Sequence, residues 1–208
     1  MSIYDSGKRP DIRPLAADEA PVLAETLALA FRDNPLNRGV IRAGSVRRLR
    51  SNRHGMRATL AAALGHARIL VPGSPKLGGL IALPPGGWPL PPPPLLAQVE
   101  YWLGQGVGAV RRWGRVYREL AMLHPVEPHW YLQLLGVAVD AQRQGVGAAL
   151  LGAWLKEVDR EEAPAYLETD RRENLSFYGR GGFDVVGTDE ILGVEIWRMR
   201  RPANRGDL

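Results

Sequence analysis

The chain has 208 residues, 45% apolar and 24% charged, with a formal net charge of +5 and no cysteine. That length suits one domain able to bury roughly 70% of the surface its unfolded form exposes, so a single domain over 1–208 is expected, with flexible tails at about 1–10 and 202–208. Without cysteine there can be no disulfide, thiolate nucleophile, iron–sulfur cluster or Cys-based zinc site, and no metal is expected.

Residues 1–13 carry no apolar stretch behind their basic residues, and no run of about 18 apolar residues occurs, so neither a secretory signal nor a spanning helix is expected and the default location is cytoplasmic. Residues 11–14 read as a short first strand. Asp18-Glu19 then precedes an apolar periodic run through Val22, Leu23, Leu27 and Phe31, an acidic helix start that Asp33-Asn34-Pro35 ends. A second helix is predicted over 46–64, with Leu49, Met56, Leu60 and Leu64 on one side. Two apolar runs, 67–71 and 77–83, flank Pro72-Gly73-Ser74-Pro75 and read as a strand hairpin. Residues 84–94 are rich in proline and read as a stiff loop, with a polyproline ligand as the alternative. A long helical pattern covers 95–122, with a break near 104–108.

The second half predicts a strand at 130–139, a helix at 148–160 bearing Leu150, Leu151, Trp154, Leu155 and Val158, and a strand at 165–169. A short helix at 173–180 and strands at 182–186 and 191–199 complete an α/β order without repeats. Two basic clusters, Arg47-Arg48-Leu49-Arg50 with Arg53 and Arg111-Arg112 with Arg115 and Arg118, could serve nucleic acid only if gathered on one face with aromatics to stack bases. They read instead as solvated faces of two helices, and neither a nucleic acid nor a membrane is expected as partner. A mild positive excess suits a polyanionic ligand.

Between the 130–139 strand and the following helix lies Gln142-Arg143-Gln144-Gly145-Val146-Gly147-Ala148. A helix start leaves its first amides unpaired, and glycines let that backbone approach phosphate oxygens. The nucleotide motif GxxxxGK[ST] is absent, and Leu150 stands where a dinucleotide fingerprint needs a small residue. A glycine turn without a ligand remains the alternative. Further on come Asn174 and Phe177-Tyr178-Gly179-Arg180-Gly181-Gly182-Phe183.

Gln142-x-x-Gly145-x-Gly147 after an apolar strand resembles the pyrophosphate motif of the GNAT superfamily of N-acetyltransferases, and the segment 174–183 resembles its second motif. HPVEPHWYL (124–132), LGV (135–137), PAYLET (164–169), NLSFY (174–178), AFRDNPLNR (30–38) and WRMRRP (197–202) are similar to the branch that includes puromycin N-acetyltransferase. The chain departs from that branch at Val139, where proline is usual, and at Gly179, where an acidic residue is usual. The resemblance implies a GNAT fold: a mixed central sheet of about six to seven strands flanked by helices, with strands four and five splayed. It implies acetyl-CoA as co-substrate. Leu135, Gly136 and Val137 would pair with the pantetheine arm, the Val137 N–H facing the thioester oxygen. Gln142, Arg143, Gln144, Gly145, Val146, Gly147 and Ala148 would hold the pyrophosphate, and Asn174 and Phe177 would complete the cofactor site.

Tyr178, a phenol protonated at neutral pH, is the expected general acid, with a purely packing role as the alternative. Glu127, Glu168, His124 and His129 are titratable groups near the central strands. Glu168 and His124 lead as base, Glu168 because it sits in an apolar strand where burial raises a carboxyl; a water chain is the alternative. The expected acceptor is a primary amine of a small molecule, entering between the N-terminal helices and 88–122, with Trp88, Tyr101, Trp102 and Tyr117 as candidate lining. A non-catalytic acyl-CoA sensor or partner-binding module, and a peptide or protein N-acetyltransferase, are the other readings. Relatives in the superfamily often dimerise, so a homodimer stays open.

Overall fold

The computed structural model describes residues 10–204; the expectation for 1–9 and 205–208 lies outside them. Strand β1 (Ile12–Pro14) leads through a one-turn 3-10 helix into α1 (Ala20–Ala30), followed by α2 (Pro35–Val40) and α3 (Ser45–Ala63). The hairpin β2 (Arg68–Pro72) and β3 (Gly78–Leu83) precedes α4 (Leu95–Gln105) and α5 (Val107–Leu123). Then come β4 (Trp130–Val137), α6 (Val146–Arg160), β5 (Ala165–Thr169), α7 (Asn174–Gly179), β6 (Asp184–Ile191) and β7 (Val194–Arg201). The seven strands make one mixed sheet ordered β1-β2-β3-β4-β5-β7-β6. Only β4 and β5 run parallel, joined by the crossover helix α6.

Two local differences from the predicted elements, and one predicted break, have physical causes. Helix α1 already ends at Ala30, and Pro35 opens the unexpected six-residue α2, because proline at the first helical position loses no hydrogen bond. The break predicted near 104–108 is present and falls at Gly106, whose φ of 78° no continuing helix allows. Helix α6 begins at Val146, two residues before its predicted start, directly after Gly145 at φ 82°.

Strands β2 and β3 are buried on both faces, which explains their unbroken apolar runs. Their side chains alternate as a period of two requires. Leu70, Leu80 and Ala82 point to the layer with Leu150, Leu151, Trp154 and Val158 of α6. Ile69, Val71 and Ile81 point to the opposite layer, with Leu23 and Leu27 of α1 and Met56 and Leu60 of α3.

The functional geometry begins with two irregularities of β4. Its pairing with β5 covers only Trp130↔Ala165, Tyr131↔Tyr166 and Leu132↔Leu167. On its other side, the β3 register jumps from Ile81↔Leu134 to Ala82↔Leu132, leaving Gln133 as a bulged residue. From Leu134 to Val137 the strand therefore stays paired to β3 while its β5-facing edge has no strand partner. The expected splay is present, and it starts at the bulge.

Gly136 matters to this arrangement for a reason separate from any ligand. A Cβ there would lie 2.6 Å from Leu27 Cδ2 and 2.8 Å from Phe31 Cε2, because α1 crosses β4 at this point. Gly136→Ala is expected to lower stability by about 1–3 kcal/mol through overpacking, read by chemical denaturation; unchanged stability would mean that α1 shifts without cost.

Candidate active site

The cleft where β4 leaves β5 carries the glycine loop at its mouth. After Val137 the chain makes a single 3-10 turn and enters the loop, where Arg143 (φ 62°) and Gly145 (φ 82°) take left-handed conformations. Two left-handed residues in one short loop turn successive amides toward one side. The first bond of α6 runs from Ala149 N–H to Gly145 C=O at 2.9 Å, so the amides of Val146, Gly147 and Ala148 precede the helical ladder. The Gln142 and Gln144 side chains turn back to brace the loop, donating to the carbonyls of Val137 (3.1 Å) and Asp140 (2.7 Å). Arg143 is exposed beside them.

Gly147 ties the loop to the cleft. A Cβ on it would stand 3.5 Å from Val137 Cγ2 and 3.6 Å from both Leu135 Cδ2 and Phe177 Cζ. The residues expected to hold a cofactor on β4, in the loop and on α7 thus meet at one place. Asn174 joins them from the start of α7, donating to Thr169 Oγ1 at 3.2 Å. An open strand edge followed by helix-start amides outside the helical ladder fits a ligand with an amide-bearing arm and a diphosphate.

Behind the loop the cleft widens into a cavity of about 220 Å³. Tyr178, Glu168 and His124 all line it, with Leu135 and Asn174 from the cofactor set. Tyr178 is both packed and placed: its ring lies edge-on to Phe177 and Phe183. Burial, then the charge of Asp170, raises its hydroxyl well above the usual phenol range.

Glu168 has a side chain only 7% exposed. Burial pushes its carboxyl up to about 7, against the smaller opposing pull of the Tyr131 and Tyr166 hydroxyls and of Arg198. Its Oε1 has no hydrogen-bond partner and faces His124 Nδ1 at 4.0 Å. His124, just past the end of α5, stacks on Trp88 with ring centres 3.9 Å apart. Burial, then the neighbouring His129, lowers His124 to about 4, so it is neutral at ordinary pH.

Of the predicted lining residues, Trp88, Tyr101 and Tyr117 reach the cavity. Trp102 does not: it lies half-exposed on α4 and is absent from the cavity wall. Its helical position places it on the side away from α3. Sequence reasoning missed Phe31, Trp113, Tyr131, Asn37, Gln105 and Asp170. Asp170 accepts from the Leu36 N–H at 2.9 Å and from Asn34 Nδ2 at 3.4 Å, pinning the start of α2 over the cavity. That bond joins residues 134 apart, and no local pattern signals it. The two basic clusters lie on α3 and α5 as expected, yet Arg48 and Arg112 turn inward, capping the carbonyls of Arg32 (2.8 Å) and Ala43 (2.6 Å), and of Val40 (2.6 Å).

Among the described residues no helix is long and apolar enough to cross a membrane. None of their His, Asp and Glu clusters could hold a metal ion.

No protein-family model matches the sequence. The fold, however, is that of the GNAT acetyltransferases. The chain is similar to a structure described as a histone acetyltransferase HPA2 and related acetyltransferase from Corynebacterium glutamicum, with a TM-score of 0.72, 20% identity, and coverage of 96% of this chain and 99% of that one. It is similar to arylalkylamine N-acetyltransferase 2 from Aedes aegypti, with a TM-score of 0.64, 12% identity, and coverage of 95% and 100%. It is also similar to the PaiA N-acetyltransferase from Thermoplasma acidophilum in complex with coenzyme A, with a TM-score of 0.57, 12% identity, and coverage of 94% and 99%.

Glu168→Gln tests the buried carboxyl directly. Folded Glu168 keeps its proton up to about 7, whereas the unfolded chain loses it near 4.5, so the parent loses stability as pH rises through that window. His124 acts with the opposite sign, adding stability from about 4 to 6.5 in both proteins. Stability of Glu168→Gln relative to the parent should therefore climb from about pH 4.5 to 7 in urea titrations. A constant difference would mean that Glu168 does not titrate there.

Proposed function

We propose that this protein is an acetyl-CoA-dependent N-acetyltransferase that acts on a primary amine of a small molecule by direct transfer. The observation that carries this reading is the shared cavity. A buried proton acceptor, Glu168, and a buried proton donor, Tyr178, line one space that adjoins the open edge of β4 and the helix-start loop.

Acetyl-CoA would supply an activated acyl thioester, with the amide C–N bond forming as the C–S bond breaks. The amides of Val146, Gly147 and Ala148 would hold its diphosphate, helped by the exposed Arg143. The unpaired edge of β4 beyond Leu132 would pair with the amide-bearing arm, and its N–H groups would stabilise the oxyanion. Glu168 takes the proton from the incoming ammonium, and its raised affinity suits that task near neutral pH. Tyr178 gives its proton to the departing sulfur. Burial keeps the phenol protonated until the thiolate forms. His124 remains neutral and does not repel the ammonium.

A cavity of about 220 Å³ walled by Trp88, Tyr101, Trp113 and Tyr131 and roofed by α2 and α3 favours a compact amine over a peptide chain. An acyl-CoA sensor would need the loop and strand edge alone. A buried carboxylate is costly to keep, and proton handling gives it a use. The resemblance to the puromycin N-acetyltransferase branch makes puromycin one member of the amine panel to be screened by thiol release.

Two variants separate the parts. Gly147→Glu puts a carboxylate against the diphosphate and should weaken acetyl-CoA binding by about 100-fold or more in titration calorimetry; normal binding would remove the loop assignment. Tyr178→Phe should bind acetyl-CoA as the parent does and lose about 100-fold in kcat. Full turnover in that variant would take the phenol out of the chemistry.

A further inference from the structure

His124 and His129 face each other through their Nε2 atoms at 3.1 Å, and His129 Nδ1 lies 2.6 Å from the Glu127 backbone carbonyl. A carbonyl oxygen only accepts, so His129 Nδ1 carries a proton and donates it to Glu127. A neutral His129 then has its lone pair at Nε2, and the proton in the 3.1 Å contact belongs to His124 Nε2. His124 in turn presents a bare Nδ1 to Glu168 Oε1 at 4.0 Å. Both side chains are deeply buried, 6% and 7% exposed, and Oε1 has no other partner. Two acceptors facing one another out of water conflict unless a proton lies between them, and at 4.0 Å it is held through one bridging water or as the pair closes.

We propose that His124 and His129 form a two-ring proton relay, which carries away the proton that Glu168 takes from the acceptor amine; this rests on the acetyltransferase reading of the site. The steps balance. The Glu168 carboxyl gives its proton to His124 Nδ1 while the His124 Nε2–H proton passes to His129 Nε2. Glu168 returns to carboxylate, His124 ends neutral in its other tautomer, and His129 becomes imidazolium with its Nδ1–H still on Glu127. The three side chains together hold the same protons before and after, and His124 never has to carry a net charge in its buried position. The charge arrives on His129, which is itself buried at 8% exposed but holds its Nδ1–H on the carbonyl of Glu127, next to the exposed Val126 and Glu127 side chains.

The surroundings hold the rings in line. Trp88 stacks on His124 from the loop after β3. Tyr131 of β4 meets His124 edge-on, and Tyr166 of β5 meets both imidazoles edge-on. Both phenols are raised by burial and stay protonated. Arg198, opposite Glu168 across β5 and β7, stabilises the carboxylate that the relay restores.

Nitrogen-15 NMR of the imidazoles near neutral pH should find a single proton in the Nε2–Nε2 contact, coupled to both rings. His124 protonated at Nδ1 beside a neutral His129 would overturn the relay. This measurement needs no turnover. In kinetics, His129→Gln keeps an oxygen to accept from His124 Nε2–H but cannot take up a proton. It should leave KM for acetyl-CoA and amine unchanged and lower kcat at least about ten-fold. Parent-like kcat would overturn the relay and leave His129 as a support for its neighbour. A parent that acetylates no amine removes the acetyltransferase reading, and the NMR result then judges the ring pairing alone.

Discussion

Strands β4 and β5 run side by side for three residue pairs and then separate, and most of the functional geometry follows from that parting. Buried backbone N–H and C=O groups need partners. Beyond Leu132, one edge of β4 has none from the sheet. The strand cannot swing back to β5, because the bulge at Gln133 turns it and its other edge is held by β3 as far as Gly78↔Val137. Gly136 lets Leu27 and Phe31 press on the same stretch from α1. The open edge is thus maintained by packing on its far side, and a ligand with its own amides can complete it. Because β4 ends at Val137 and runs almost at once into the loop, the helix-start amides of α6 sit at the mouth of the cleft.

Burial drives the electrostatics of the cavity in opposite directions for acid and base. Desolvation penalises charge, so it lifts Glu168 and the phenols of Tyr131, Tyr166 and Tyr178 and depresses His124. The outcome is a site in which Glu168 titrates near neutral pH while His124 and the phenols stay neutral. Asp170 and the inward-turned Arg48 and Arg112 stabilise its roof, each by hydrogen bonds to the backbone around α2. These residues do no chemistry in this reading, but they hold a six-residue helix that is too short to be stable alone.

Much of this was legible in the residue order. Apolar runs and 3.6-residue patterns located the seven strands and six of the seven helices among the described residues, since burial leaves those marks locally. Gln142 to Ala148 marked the strand–loop–helix junction, and Tyr178 and Glu168 stood out by chemistry and position. What the sequence could not determine was which distant side chains would meet. Trp88 and Trp102 look equivalent in the chain, but only Trp88 stacks on His124, while Trp102 faces outward from α4. The start of α2 depends on a carboxylate from the end of β5, and the bulge at Gln133 exists only in the register between β3 and β4. His129 gains its meaning from a 3.1 Å contact with His124. Local periodicity and glycine placement determined the elements and the glycine loop at the start of α6, because those depend on neighbours along the chain. Tertiary structure alone decided the cavity, its proton chemistry and its roof, because those depend on desolvation and on contacts between residues that the sequence keeps far apart.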